Sequence, residues 1–128
     1  MRASLQTSRG RCAMSERHDR DSIEDIRAAI VRIQKYTAGM SREQFEDDER
    51  TQDAIIRNLE VIGEAAKNVS ARLRREYPDF PWKDLAGVRD KLIHHYFGVN
   101  YAIVWKIIRE DLPPLQHQLD EILKTLSG

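Results

Sequence analysis

The sequence predicts an all-α protein, an antiparallel up-and-down bundle of four main helices plus a short extra helix. Three observations carry that expectation. Apolar residues recur at spacings of three and four through most of the 128 residues, which is the period of one helix face. No β-hairpin signal appears, with alternating residues on either side of a tight turn. Glycines, prolines and short polar residues stand at the ends of the periodic stretches, where helix caps belong.

The first stretch, RDSIEDIRAAIVRIQKYTAG (20–39), places Ile23, Ile26, Ile30, Ile33 and Thr37 on one stripe. Asp21 or Ser22 can cap its start, and Gly39 can end it. An acidic connector, MSREQFEDDER, follows, with Ser41 as the cap of a short helix. The longest stretch, DAIIRNLEVIGEAAKNVSARLRREYP (53–78), reads as one helix closed by Pro78. Ile55, Leu59, Ile62, Ala66, Val69 and Leu73 keep a four–three rhythm in it, close to a heptad and suited to nearly antiparallel packing. Gly63, Ala65 and Ala66 are small, so another backbone can approach there.

PWKDLAGVRDKLIHHY (81–96) predicts a third helix, started by Pro81, with Leu85, Val88 and Leu92 buried. Gly98 and Asn100 mark a break. A fourth helix is expected from about Tyr101 to Glu110, with Ile103, Val104, Ile107 and Ile108 inward. Pro113 and Pro114 should interrupt it. Leu115, Leu119, Ile122 and Leu126 then form the stripe of a last helix.

The length suits one domain with a single core. The 21 basic and 21 acidic residues cancel, so there is no global attraction to nucleic acid or anionic membranes; any such contact needs a local patch. The one cysteine, Cys12, excludes an internal disulfide, and a cytoplasmic location is expected. No apolar run approaches the roughly 20 residues that span a bilayer. The first 17 residues, MRASLQTSRGRCAMSER, are polar and basic with only Glu16 acidic. They lack the apolar region of a secretory signal and the apolar face of a transit peptide. A disordered tail over 1–17 and a folded domain over 18–128 are expected, and Met14 is an alternative start.

The chemistry-bearing run is RDKLIHHYFG (89–98). At about 100° per residue, Arg89 and Tyr96 share a face at the edge of the Leu85/Leu92 stripe. His94 points to roughly the opposite side, near Gly87 and Asp90. An unbroken helix therefore does not bring Arg89 and His94 together; a wrapped side chain, a loosened helix or a second subunit would have to. His exchanges protons near neutral pH, and Arg presents a fork of donors matched to phosphate oxygens. The pair is a minimal kit for phosphodiester cleavage without a metal, because RNA supplies its own nucleophile in the 2′-OH. On periodicity alone the bland reading wins: a half-buried Tyr96, a surface Arg89 and a solvent-facing His94. No metal site is expected, since His94 and His95 are adjacent and diverge, and His18 and His117 are remote.

Arg89, four residues, His94, one residue and Tyr96 resemble the R-x-x-x-x-H-x-Y motif of HepT-like toxins in the HEPN superfamily. RNLEVIGEAAKNVS (57–70) is similar to that family's second-helix signature. PWKDLAGVRDKLIHHYFGVNYAIVWKIIREDLPPL (81–115) is similar to its third- and fourth-helix block. The resemblance covers about residues 20 to 126. Asp90 departs from it, standing where many members carry Asn and adding a negative charge near the phosphate site.

The resemblance implies a HEPN helical domain over 18–128 that forms a homodimer or higher oligomer, with paired Arg–His motifs lining a cleft at the interface. It implies metal-independent cleavage of tRNA or mRNA leaving a 2′,3′-cyclic phosphate, with no cofactor. Arg89 would stabilise the transition state and His94 would act as general acid or base. Tyr96 would accept AMP from a cognate minimal nucleotidyltransferase (MNT) antitoxin, in a type VII toxin–antitoxin system. Bulky, charged adenylate beside the arginine would fill the cleft against RNA phosphate.

Arg57, Asn58, Glu64, Asp90 and His95 are candidate supporting residues, each with a solvated face or ordinary salt bridge as its alternative. Lys67, Arg72, Arg74 and Arg75 form a basic run that reads as a solvated helix end or an RNA track. Trp82 and Trp105 read as core or interface anchors before base-stacking platforms. The rival function is a non-catalytic helical dimer that binds a nucleotidyltransferase or a nucleotide; a third reading is a plain structural dimer.

Overall fold

The computed structural model describes the backbone of residues 2–92 and 99–127 and the side chains of residues 17–88, 90–92 and 99–126. Every regular element among them is helical. In chain order these are α1 (Arg2–Thr37), α2 (Arg42–Glu46), α3 (Glu49–Asn68), α4 (Ala71–Glu76), α5 (Trp82–Ala86), α6 (Val88–Leu92), α7 (Tyr101–Lys106), a π-helical turn (Ile107–Asp111) and α8 (Leu112–Ser127).

Hydrogen bonds distant in sequence set the directions. Asp19 meets Ser70 and Arg32 meets Asn58, so partner numbers fall as α1 advances and α1 is antiparallel to α3. Arg27 meets Asp120, and Arg109 donates to the carbonyls of Thr37 and Met40, so α8 also runs against α1. The predicted stripes meet in one core. Ile23, Ile26, Ile30 and Ile33 of α1 pack with Ile55, Leu59 and Ile62 of α3 and with Leu119 and Ile122 of α8. Burying each such side chain contributes about 1.5–3 kcal/mol.

Several local signals act as their chemistry dictates. Gly39 ends α1 with φ at 76°, a left-handed conformation that glycine adopts without a Cβ penalty. Ser41 and Gln44 form a reciprocal capping box at α2. Asn100 caps α7 by accepting from the Ile103 amide at 3.2 Å.

Asp48 caps α3, accepting from the amide and the hydroxyl of Thr51. Those bonds, the backbone one first, hold its carboxyl below its ordinary pKa. A depressed folded pKa contributes stability that is present above the unfolded value and lost as pH falls through the folded one. Melts taken down through the carboxylate range should therefore show wild type losing stability that Asp48→Asn, which keeps an acceptor, does not lose by this route.

Four sequence expectations are corrected. α1 runs straight through Asp21 and Ser22, which cap nothing; packing in the described side chains begins with buried Asp19, 5% exposed. The stretch 53–78 is not one helix. It begins earlier, at Glu49 behind the Asp48 cap, and breaks at Val69, which takes an extended ψ of 136°. The cause lies 51 residues away: the Asp19 carboxylate accepts from both the amide and the hydroxyl of Ser70, whose oxygen in turn caps α4. Val69 and Leu73 remain buried across the break.

Pro113 and Pro114 do not separate the last two helices either. The π-helical turn widens the ladder ahead of them, with the Leu112 amide bonded to the carbonyl of Ile107. The chain thus passes residues that lack an N–H and would crowd a carbonyl four back. Finally, Ile103 faces outward at 37% exposure. Tyr101 and Trp105 pack on the buried Phe45 ring, with centroids 6.0 and 5.3 Å away, and that contact turns α7 so that Ile103 faces out while Val104 and Ile108 point inward as expected.

Candidate active site

The segment that carries the chemistry-bearing run enters through α5 and α6. Trp82 anchors its start, donating from its indole N–H to the Tyr77 carbonyl at 2.9 Å. Its ring lies 4.4 Å from that of Phe80, and both are buried. Trp82 is thus a core anchor. Leu85, Val88 and Leu92 are buried as their spacing predicts. The helix expected over 81–96 is interrupted at Gly87, although the amide of Lys91 still bonds to the Gly87 carbonyl at 3.0 Å.

The close approach expected at Gly63 is real, and its partner is this segment. A Cβ built on Gly63 would lie 3.2 Å from the Leu85 carbonyl oxygen and 3.6 Å from that of Ala86. Pattern reading found the small residue; nothing local could show which backbone it receives.

Arg89 sits in α6 between buried Val88 and Leu92; its side chain lies outside the described residues. His94, His95 and Tyr96 lie outside them altogether. Asp90 and Lys91 are exposed on α6. Beside α6, a cavity of about 340 Å³ opens between α3, α5–α6 and the π turn. Ile62, Val88 and Leu112 line its floor, with Asp84, Lys91 and Glu110 among its polar groups.

The supporting candidates on α3 are dispersed. Arg57 and Glu64 are exposed. Asn58, 7% exposed, accepts from Arg32 Nε at 2.7 Å and donates to the Ala54 carbonyl at 2.8 Å. It belongs to the α1–α3 seam, about 140° around α3 from Gly63. The basic run at 67–75 is a helix end: Arg74 donates to the carbonyls of Ala66 and Lys67, and Arg72 pairs with Glu76. Trp105 carries the Arg109 guanidinium 4.5 Å over its ring. Arg109, which also donates to the Thr37 and Met40 carbonyls, Arg32 and Asp19 were not singled out from sequence, because those carbonyls, Asn58 and Ser70 are remote from them in the chain.

Fold and site together define an all-α bundle that presents an arginine-bearing helical turn on a close-packed platform. Compared with known proteins, residues 26–122 match the family described as "Ribonuclease HepT-like". A Thermococcus cleftensis protein named "Probable ribonuclease HepT" is 43% identical over 109 residues, covering 85% of this chain and 99% of that one. A Methanocaldococcus jannaschii protein with an RNase name is 43% identical over 115 residues, 90% of this chain and 95% of its own. A Caldanaerobacter subterraneus protein, also with an RNase name, is 49% identical over 86 residues, 67% of this chain and 77% of its own. No solved structure matches. The chain belongs to the HepT-like family of the HEPN superfamily. Among the described residues, no helix is long and apolar enough to cross a membrane.

Proposed function

We propose that this chain is a metal-independent endoribonuclease, the toxin of a type VII HEPN/MNT toxin–antitoxin pair, working as a cytoplasmic homodimer on tRNA or mRNA. The observation that carries the reading is the family match over residues 26–122, which contains the whole Arg89–His94–Tyr96 motif. The 2′-OH of one nucleotide attacks the adjacent phosphorus, and the P–O5′ bond breaks to leave a 2′,3′-cyclic phosphate. His94 moves a proton as general acid or base. Arg89 binds the phosphoryl oxygens as charge builds on them. Pairing the motifs of two subunits across one cleft supplies the convergence that a single helix denies.

Purified protein, freed of any nucleotidyltransferase, should cleave tRNA or mRNA in EDTA and leave cyclic phosphate ends. Intact RNA under those conditions would favour the non-catalytic dimer instead. Regulation is assigned to Tyr96, whose hydroxyl attacks the α-phosphorus of ATP held by the antitoxin, gaining AMP and releasing pyrophosphate. With the antitoxin and ATP, wild type should gain the mass of one or more AMP units and lose cleavage. Tyr96→Phe should gain none and stay active. An unmodified wild-type protein in that incubation would remove this arm of the proposal.

A further inference from the structure

We infer that Gly63 is a positioning residue for Arg89, acting through the backbone of α5 and α6; the inference rests on the nuclease reading above. α5 and α6 have five residues each, too short to hold a helix unaided. Their place is set by what they dock on, and Gly63 of α3 is where their backbone comes very close. A Cβ there would meet the Leu85 oxygen at 3.2 Å, the Ala86 oxygen at 3.6 Å and Val88 Cγ1 at 3.6 Å.

Positive φ is confined to Gly39 among the described glycines, so Gly63 is required for space and not for backbone conformation. The Leu85 oxygen, the one atom nearer than ordinary contact, belongs to the main chain and cannot rotate away as a side-chain end can. The segment must shift by a few tenths of an ångström, and Arg89 follows Val88 directly. Leu85, Val88 and Leu92 are all buried, so close packing on both sides passes the shift along the segment. Misplacing a reacting group by about 1 Å can cost around 10²-fold in rate. A smaller displacement should cost roughly tenfold.

The test compares wild type, Gly63→Ala and Ile122→Val in α8, the last a core control that loses stability away from the segment. Cleavage of RNA in EDTA is measured well below each Tm, and the Arg89 Nε–H resonance is followed by NMR. Gly63→Ala should lower kcat about tenfold with KM within about twofold, and should shift the Arg89 resonance. Ile122→Val should do neither.

Wild-type kcat in Gly63→Ala would overturn the inference. So would equal losses of kcat in both variants, which would mark a merely structural effect. If wild type itself cleaves nothing, the nuclease reading fails, and the resonance still decides: an unshifted Arg89 signal in Gly63→Ala overturns positioning. If Gly63→Ala melts too low for that comparison, cleavage and the Arg89 resonance are read at a lower temperature at which it is folded. Wild-type kcat or an unshifted Arg89 signal there overturns the inference.

Discussion

Replacing His94 with alanine is expected to slow RNA cleavage by about 10²–10⁴-fold, the usual contribution of a positioned acid or base. Arg89→Ala is expected to cost about 10²–10³-fold, in line with losing one donor to a developing oxyanion. Both losses should fall on kcat with little change in KM, since the interactions strengthen only as charge builds and the proton moves. Arg89→Lys keeps the charge but loses the planar fork, so it should lie between wild type and alanine. The double alanine variant should fall short of the product of the single losses, because the proposed mechanism has the two groups serve one step. Single-turnover cleavage in EDTA across neutral pH checks all of this. Wild type should show a limb from imidazole titration, and His94→Ala should lose it. A His94→Ala enzyme that cleaves at the wild-type rate would remove that residue from the chemistry.

The largest loss of stability is expected from Leu59→Ala. Leu59 is 1% exposed, lies one turn before Gly63 on α3, and helps line the cavity beside α5–α6. α3 packs against α1, α2, α5 and α6, so a void there weakens several contacts together. The substitution removes transfer free energy and leaves a space that neighbours refill only in part, about 2–5 kcal/mol in all. For a domain of this size, that is a fall in Tm of roughly ten degrees or more. Calorimetry on the two proteins measures it directly. A drop of only a degree or two would mean that α5–α6 collapses into the void, and that the platform is softer than its packing suggests.

How much of this was legible in the sequence follows from the range of each interaction. Ser41, Gly39 and Asn100 work within three or four residues of themselves, so their caps could be read from the chain. The apolar stripes of α1, α3 and α8 could be read for the same reason. Periodicity places a side chain on a face, and the hydrophobic effect turns that face inward. The R-x-x-x-x-H-x-Y run and its flanking blocks were also legible, as residue types in order. The family match rests on that same information.

What only the tertiary structure decided depends on partners far away in the chain. The helix break before Ser70 comes from Asp19, the outward turn of Ile103 from Phe45, and the placement of Asn58 from Arg32. The passage of the chain through Pro113 and Pro114 depends on a π-helical turn that no propensity rule anticipates. Gly63 shows the division most plainly. Its smallness was visible in the sequence as room for some backbone, but only packing showed that this backbone is the one leading to Arg89. Local rules set which face of a helix is apolar, while the identity of what lies against it is settled by the whole core at once.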